Sequence, residues 1–324
     1  MTELQHLAAA LRESRGFAHK ADIADVVARL GPPGAIANGD DCAAIPFHDT
    51  EGDGHLLFAI EGFVDDFVAA QPWFAGWCGV MVNLADIAAM GGRPVAVVDA
   101  LWSPGSEPGR QVLDGLAAAA RAYGVPIVGG HNNCRAARAG LAVAVLGRAK
   151  NLLTSFAARP GDTLVMAIDL RGGYDSEQPF WNAATRAPAG RARADFELLA
   201  ELAESGLADA AKDISMAGAV GTTLMLADGS QVGACIEVDA IPRPEGVPLA
   251  RWLQTFPSFG FVLSVRASKV EPVLQRFAER GIAAAAVGEV DASRRLTLRR
   301  GSERVELWNL AERSFVTAPE ATHA

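Results

Sequence analysis

Two aspartates side by side, Asp40 and Asp41, follow Gly39 and precede the short apolar run Cys42-Ala43-Ala44-Ile45. Successive side chains of a strand point to opposite faces, so both carboxylates serve one ligand only across a turn, which Gly39 permits. Hard oxygen donors of this kind suit Mg²⁺ holding phosphates; a solvated acidic loop is the alternative. A second set is Asn83, Asp86 and Met90, which fall at i, i+3 and i+7 on one face of a helix. Trp73, Trp77, Val80, Met81, Leu84 and Ile87 cover most of the remaining circumference. Such a helix is buried, and its polar side chains need partners. Those partners are either a structural hydrogen-bond pair or a metal or nucleotide. Third, Ile127-Val128-Gly129-Gly130-His131 reads as a strand whose glycines allow close approach of a phosphate. Fourth, Asp213 and Ser215 stand just before a helical stretch, where Ser215 also suits an N-cap.

These groups need elements to hold them. Residues 2–30 predict two polar-faced helices divided near Gly16, and buried-type strands follow at about 41–46 and 56–62. Pro72 opens a helix that runs to Met90 and stops at Gly91-Gly92. Beyond it come a strand at 94–101, a helix at 108–123, the strand ending at Gly129-Gly130, and the alternating strand 141–146. Arg159-Pro160-Gly161-Asp162 marks a connector, which divides the chain into domains 1–155 and 156–324. The second domain predicts strands at 163–168, 233–239, 259–266, 284–291 and 295–299. Its helices fall at about 194–205, 217–227 and 269–280, after a loop rich in Gly, Pro and Arg at 171–193. The end loosens after about residue 313. Strands and helices mix without a strict βαβ rhythm, so the class is α+β, as two sandwiches.

Composition narrows the function. The chain has 324 residues, half of them apolar, and a net charge of −9, which argues against a nucleic-acid surface. Cys42, Cys78, Cys134 and Cys235 form no Cys-x-x-Cys pair, so free thiols are expected rather than a zinc site. The first residues lack a signal-peptide pattern, and no apolar run reaches membrane-spanning length, so a cytoplasmic protein without membrane contact is expected. Walker, dinucleotide-fingerprint and nucleophile-elbow motifs are all missing, as is a His-Glu-x-x-His pair. Any ATP is therefore handled by another architecture.

Gly39-Asp40-Asp41-Cys42-Ala43, the stretch from Val82 to Pro94, Gly129-Gly130, Arg159-Pro160-Gly161-Asp162 and Asp213-Ile214-Ser215 occur in a familiar order. In that order they resemble the PurM-like ATP-binding superfamily. Its members include aminoimidazole ribonucleotide (AIR) synthetase, thiamine-monophosphate kinase, selenophosphate synthetase and the hydrogenase maturation protein HypE. Thiamine-monophosphate kinase is nearest in motif, and the likeness covers about residues 20–300. It implies a two-domain fold with an N-terminal ATP-binding domain, whose sheet forms a barrel in a homodimer, and a C-terminal α/β sandwich. It also implies ATP held through Mg²⁺ by aspartates. By motif position Asp40, Asp41, Asp86 and Asp213 become metal ligands. Asn83, Gly129, Gly130 and Ser215 become nucleotide contacts.

The sequence departs from the kinase at the substrate end. Ser-Thr-Asp-Thr becomes Ala59-Ile60-Glu61-Gly62, which leaves Glu61 as a displaced metal ligand. The acid after the glycine pair becomes His131, a poor Mg²⁺ ligand but a candidate general base. Met216 replaces an acid after Ser215, and Pro257-Ser258-Phe259-Gly260-Phe261 replaces Gly-Gly-Glu-Asp-Tyr. The expected function is an ATP- and Mg²⁺-dependent phosphoryl-transfer enzyme with a small acceptor, through a phosphate, amide or carboxyl oxygen. Arg171, Arg186 and Arg191 are either solvated surface arginines or contacts for an anionic substrate. Its rivals are a nucleotide-binding partner protein with little catalysis and a thiamine-monophosphate kinase.

Overall fold

The structure is a computed structural model that describes residues 1–30, 39–49 and 52–317. Asn38, which precedes the Gly39-Asp40-Asp41 turn, lies outside the described residues, as does the end of the chain from residue 318. The chain forms two compact units. The larger holds residues 1–40, 152–185 and 202–324; the smaller holds 41–151 and 186–201. The division read from sequence near 155 falls beside one of the crossings, at 151/152, but the first forty residues fold with the second half.

Three helices open the chain, not two: α1 (Glu3–Arg12), α2 (Arg15–Ala21) and α3 (Ile23–Arg29). The break falls at Ser14, whose hydroxyl accepts from the Phe17 N–H at 3.3 Å and so caps α2. Gly16 is inside α2, where a Cβ would overlap the Met216 carbonyl; it serves packing rather than a turn. Leu4, Leu7, Leu11 and Phe17 join the core of the larger unit, which explains why this segment leaves the first domain.

The smaller unit contains β1 (Ala43–Asp49), β2 (Gly52–Phe63), α4 (Asp65–Ala70), α5 (Pro72–Ala89), β3 (Arg93–Trp102), α6 (Ser106–Tyr123), β4 (Ile127–Asn133) and β5 (Gly140–Ala149). Its five strands run in the order β1-β2-β5-β3-β4; β3 and β4 pair in parallel and the other neighbours antiparallel. The period of two gives each strand an inner and an outer face. Leu57, Ala59, Val97, Leu101, Val143 and Val145 are buried on the inner face. Ile45, Phe58, Ile60 and Val98 stand exposed on the outer face, and the sheet is open. Helix α5 lies on the inner face, where a Cβ on Gly79 would overlap Val143. It crosses α6 so closely that a Cβ on Gly76 would overlap the Val112 carbonyl, and one on Gly115 the Trp73 carbonyl. Among the described residues no helix is long and apolar enough to cross a membrane.

The larger unit continues with β6 (Asp162–Ile168), β7 (Gly173–Tyr174) and β8 (Phe180–Asn182). Helix α7 (Arg191–Glu204) begins in the smaller unit and leads to β9 (Ala210–Asp213), α8 (Gly218–Gly229), β10 (Gly233–Glu237) and α9 (Leu249–Trp252). Then come β11 (Phe256–Pro257), β12 (Gly260–Arg266), α10 (Val270–Glu279), β13 (Ala283–Asp291), β14 (Arg295–Arg300) and β15 (Glu303–Asn309). Seven of these strands form one mixed sheet, ordered β15-β14-β10-β13-β6-β12-β9. Helix α8 is buried along its whole length from Gly218 to Asp228. Of the end expected to loosen after about 313, residues 315–317 are held: Phe315 is buried, and the N–H groups of Phe315, Val316 and Thr317 donate to Asp228 Oδ2 at 2.8–2.9 Å.

Candidate functional site

Helix α5 carries Asn83 and Asp86 into the interior, at 0% and 7% exposure. Asn83 Nδ2 donates to the Gly79 carbonyl at 2.8 Å, one turn back, while its Oδ1 meets no donor among the described residues. Asp41 arrives from the turn before β1, and a carboxylate oxygen of Asp41 lies within 4.8 Å of one of Asp86. Two carboxylates this close, one of them buried, raise each other's energy unless positive charge or a proton intervenes. The sequence identified both residues.

Asp40 is next to Asp41 in the chain but has different surroundings. Its side chain is fully buried. Oδ2 accepts from Thr154 Oγ1 and the Ser155 N–H, both at 2.8 Å, and Oδ1 accepts from Ser155 Oγ at 2.6 Å. The ammonium of buried Lys212 stands 3.7 Å from Oδ1. These partners come from the connector and from β9, so the carboxylate is answered by the fold itself.

Glu61 and His131 part company. Residues opposite each other in neighbouring strands share a face. Register runs from Glu61 through Val143 and Asp99 to Gly130, which puts Glu61 and Asp99 on the inner face. His131 is opposite Ala100 on the outer face, exposed on edge strand β4, its ring centroid 6.4 Å from that of Trp102. The structure therefore does not bring His131 to the face that holds Glu61 and α5.

Asp99 escaped the sequence reading. Burial pushes its carboxyl above the usual carboxylate range, and a hydrogen bond to its own backbone partly offsets this. A Cβ on Gly130 would overlap Asp99 Oδ1, so the second glycine of the pair gives room to this side chain. The signal was available as an acid at an inward position of the apolar strand Val97-Val98-Asp99-Ala100-Leu101.

In the larger unit Asp213 ends β9, opposite Phe261 of β12. Thr222 of α8 ties the turn that follows: its Oγ1 donates to the Asp213 carbonyl and accepts from the Ser215 N–H, each at 3.4 Å. Ser215 is not the N-cap of α8, which is Ala217, and its hydroxyl meets no partner among the described residues. Pro257–Phe261 is core rather than a polar site. Phe259 and Phe261 are buried, and Ser258 Oγ accepts from the Ala183 N–H at 2.9 Å. Arg171 is bound to buried Asp169 through Nε at 2.7 Å and Nη2 at 3.1 Å. Arg191 stands 3.8 Å from Asp195.

Comparison with known proteins gives this geometry a setting. The sequence matches the AIR synthase related protein, N-terminal domain, over residues 39–149, and the AIR synthase related protein, C-terminal domain, over residues 163–301. It is 44% identical over 309 residues to the uncharacterized protein sll0787 of Synechocystis sp., covering 93% of this chain and 94% of that one. It is 25% identical to the selenide, water dikinase of Myxococcus xanthus, covering 91% and 95%. The structure superposes on T. maritima PurL complexed with ATP at a TM-score of 0.76 and 21% identity. That match covers 99% of this chain and 53% of PurL, so the chain spans about half of the longer protein. The expected two-domain PurM-like α+β fold is borne out.

Proposed function

This chain belongs to the AIR synthase related protein family, and from that premise we propose an ATP- and Mg²⁺-dependent phosphoryl-transfer enzyme. Its acceptor is a small anionic molecule that reacts through a phosphate, amide or carboxyl oxygen. The observation that carries the reading is the Asp41–Asp86 pair, an all-oxygen donor set that suits a hard divalent ion. Asp41 and Asp86 would hold Mg²⁺, with Asp213 and Glu61 adding the carboxylates that family resemblance assigns to those positions. The ion would neutralise charge on the transferring phosphoryl group. Asn83 offers its open Oδ1 to the nucleotide side, and Gly129, Gly130 and Ser215 line the phosphates. Asp40 is given a different part from the one its motif suggests. With its oxygens already bonded, it anchors the turn that presents Asp41. His131, on the outer face, has no part in the transfer.

Asp86→Asn tests the reading, because it keeps shape and removes charge. Calorimetry with ATP and Mg²⁺ should show affinity falling by at least the roughly 10–100-fold that loss of even a supporting group costs a metal site. Unchanged affinity removes Asp86 from the site and the reading with it.

The same family plan supports a homodimer. Ile45, Phe58, Ile60 and Val98 form an apolar stripe on the outer face of the open sheet, which a second copy would cover. Light scattering should report a dimer that Ile60→Asp converts to a monomer; a wild-type monomer refutes it. A second reading, a nucleotide-binding partner with little catalysis, is favoured by the burial of Pro257–Phe261 where the kinase carries acids. Tight ATP binding without ADP release across a broad acceptor panel decides for it.

A further inference from the structure

A cavity of about 470 Å³ lies wholly within the smaller unit, enclosed by α4, the end of β3, the start of α6 and the loop between β4 and β5. This is within the roughly 300–1,000 Å³ range of small-molecule sites. Its floor is apolar and buried, formed by Val68, Leu101 and Val112. Ser103 has its hydroxyl proton committed to the Gly105 carbonyl at 2.6 Å, which leaves its oxygen as an acceptor only.

The rim carries charge. Arg138 Nη1 stands 3.4 Å from Asp65 Oδ2, so these two answer each other, and Asp65 Oδ1 accepts from the Asp66 N–H at 3.0 Å. The exposed carboxylate of Asp66 meets neither a cation nor a donor among the described residues. Acids in the first turn of a helix favour its dipole, which accounts for Asp65 and Asp66 as a helix start. It does not account for an apolar hollow beneath them. The arrangement is one unmatched negative charge at the mouth of an apolar space.

We propose that this hollow binds a small organic cation, with a protonated amine or amidine at Asp66 and an apolar or aromatic body seated against Val68, Leu101 and Val112. Charge sets the orientation: the ligand's nitrogen stays at the wet rim, where an ion pair costs little desolvation, and its body leaves water. Binding here needs neither ATP nor a metal, so it goes beyond the nucleotide reading and stands apart from it.

The test uses two probes of matched shape and opposite charge, tryptamine and indole-3-propionate, titrated calorimetrically into the full chain without nucleotide. Tryptamine should bind at least about tenfold more tightly, a difference of ~1.4 kcal/mol. Asp66→Asn should erase that preference and Asp66→Glu should keep it. Ala139→Leu, which narrows the hollow, should weaken both probes. Asp86→Asn should leave tryptamine binding intact while it weakens ATP, so the two readings fail separately. The inference is overturned if tryptamine does not bind, if its affinity survives Asp66→Asn, or if indole-3-propionate binds as well or better. The last result would assign the rim to Arg138 and an anion.

Discussion

Helices α5 and α8 are both apolar around nearly their whole circumference, and each carries a buried acid, Asp86 in one and Asp228 in the other. The surroundings differ. Asp228 receives three backbone N–H groups from Phe315–Thr317 on a single oxygen, although its Oδ1 has no partner among the described residues. Asp86 is instead placed near a second carboxylate, with the open Oδ1 of Asn83 one turn away. A buried charge that the chain surrounds with donors holds the fold together. One set beside a like charge is destabilised unless positive charge or a proton intervenes, and the proposed metal would supply that charge. The neighbours Asp40 and Asp41 repeat the contrast one residue apart.

The difference can be broken by mutation. Asp228→Ala leaves three N–H groups, two of them buried, without an acceptor and should cost roughly 3–5 kcal/mol in urea unfolding, with nucleotide affinity unaltered. A loss below about 1 kcal/mol would mean that the chain end is held by Phe315 packing alone. Gly115→Ala attacks the packing of α5 rather than its charge, and should cost about 1–3 kcal/mol by forcing the helices apart. Asp86→Asn should change stability by no more than about 1 kcal/mol, in either direction, while it removes metal-dependent nucleotide binding. A destabilisation that matches Asp228→Ala would erase the distinction between the two acids.

The smallest effect concerns Asp99, whose raised pKa makes the native state hold a proton that the unfolded chain has already released. Its contribution is complete below the ordinary carboxyl range and declines as pH climbs through the interval up to the raised value. Asp99→Asn should flatten that fall in stability, as read from urea midpoints at a series of pH values. An unchanged pH profile would show that Asp99 is ordinary.

Much of this was legible in sequence, where local pattern and burial coincide. Pro72, the apolar circumference and Gly91-Gly92 define α5 within a residue, and with it the inward placement of Asn83 and Asp86. Two adjacent acids could not be told apart, because what separates Asp40 from Asp41 is contact with Thr154 and Lys212, more than a hundred residues away. The outward aim of His131 depends on strand register, which no local pattern reports. Helix α4 is six residues long, and β15, which reads Glu-Arg-Val-Glu-Leu-Trp-Asn at a sheet edge, breaks strict alternation, so neither rises above a loop by periodicity. Gly16 looked like a break because glycine serves both turns and close packing.

The bare crossing of α5 and α6 has a mechanical side. The carbonyl that abuts Gly76 belongs to Val112, which also floors the amine hollow, and no side chain cushions the contact. The two helices are therefore packed backbone on backbone, and a side chain added at either glycine would have to part them before it could enter. The floor of the hollow at Val112 is thus backed by a second helix with no room to yield, which fixes its shape before any ligand arrives.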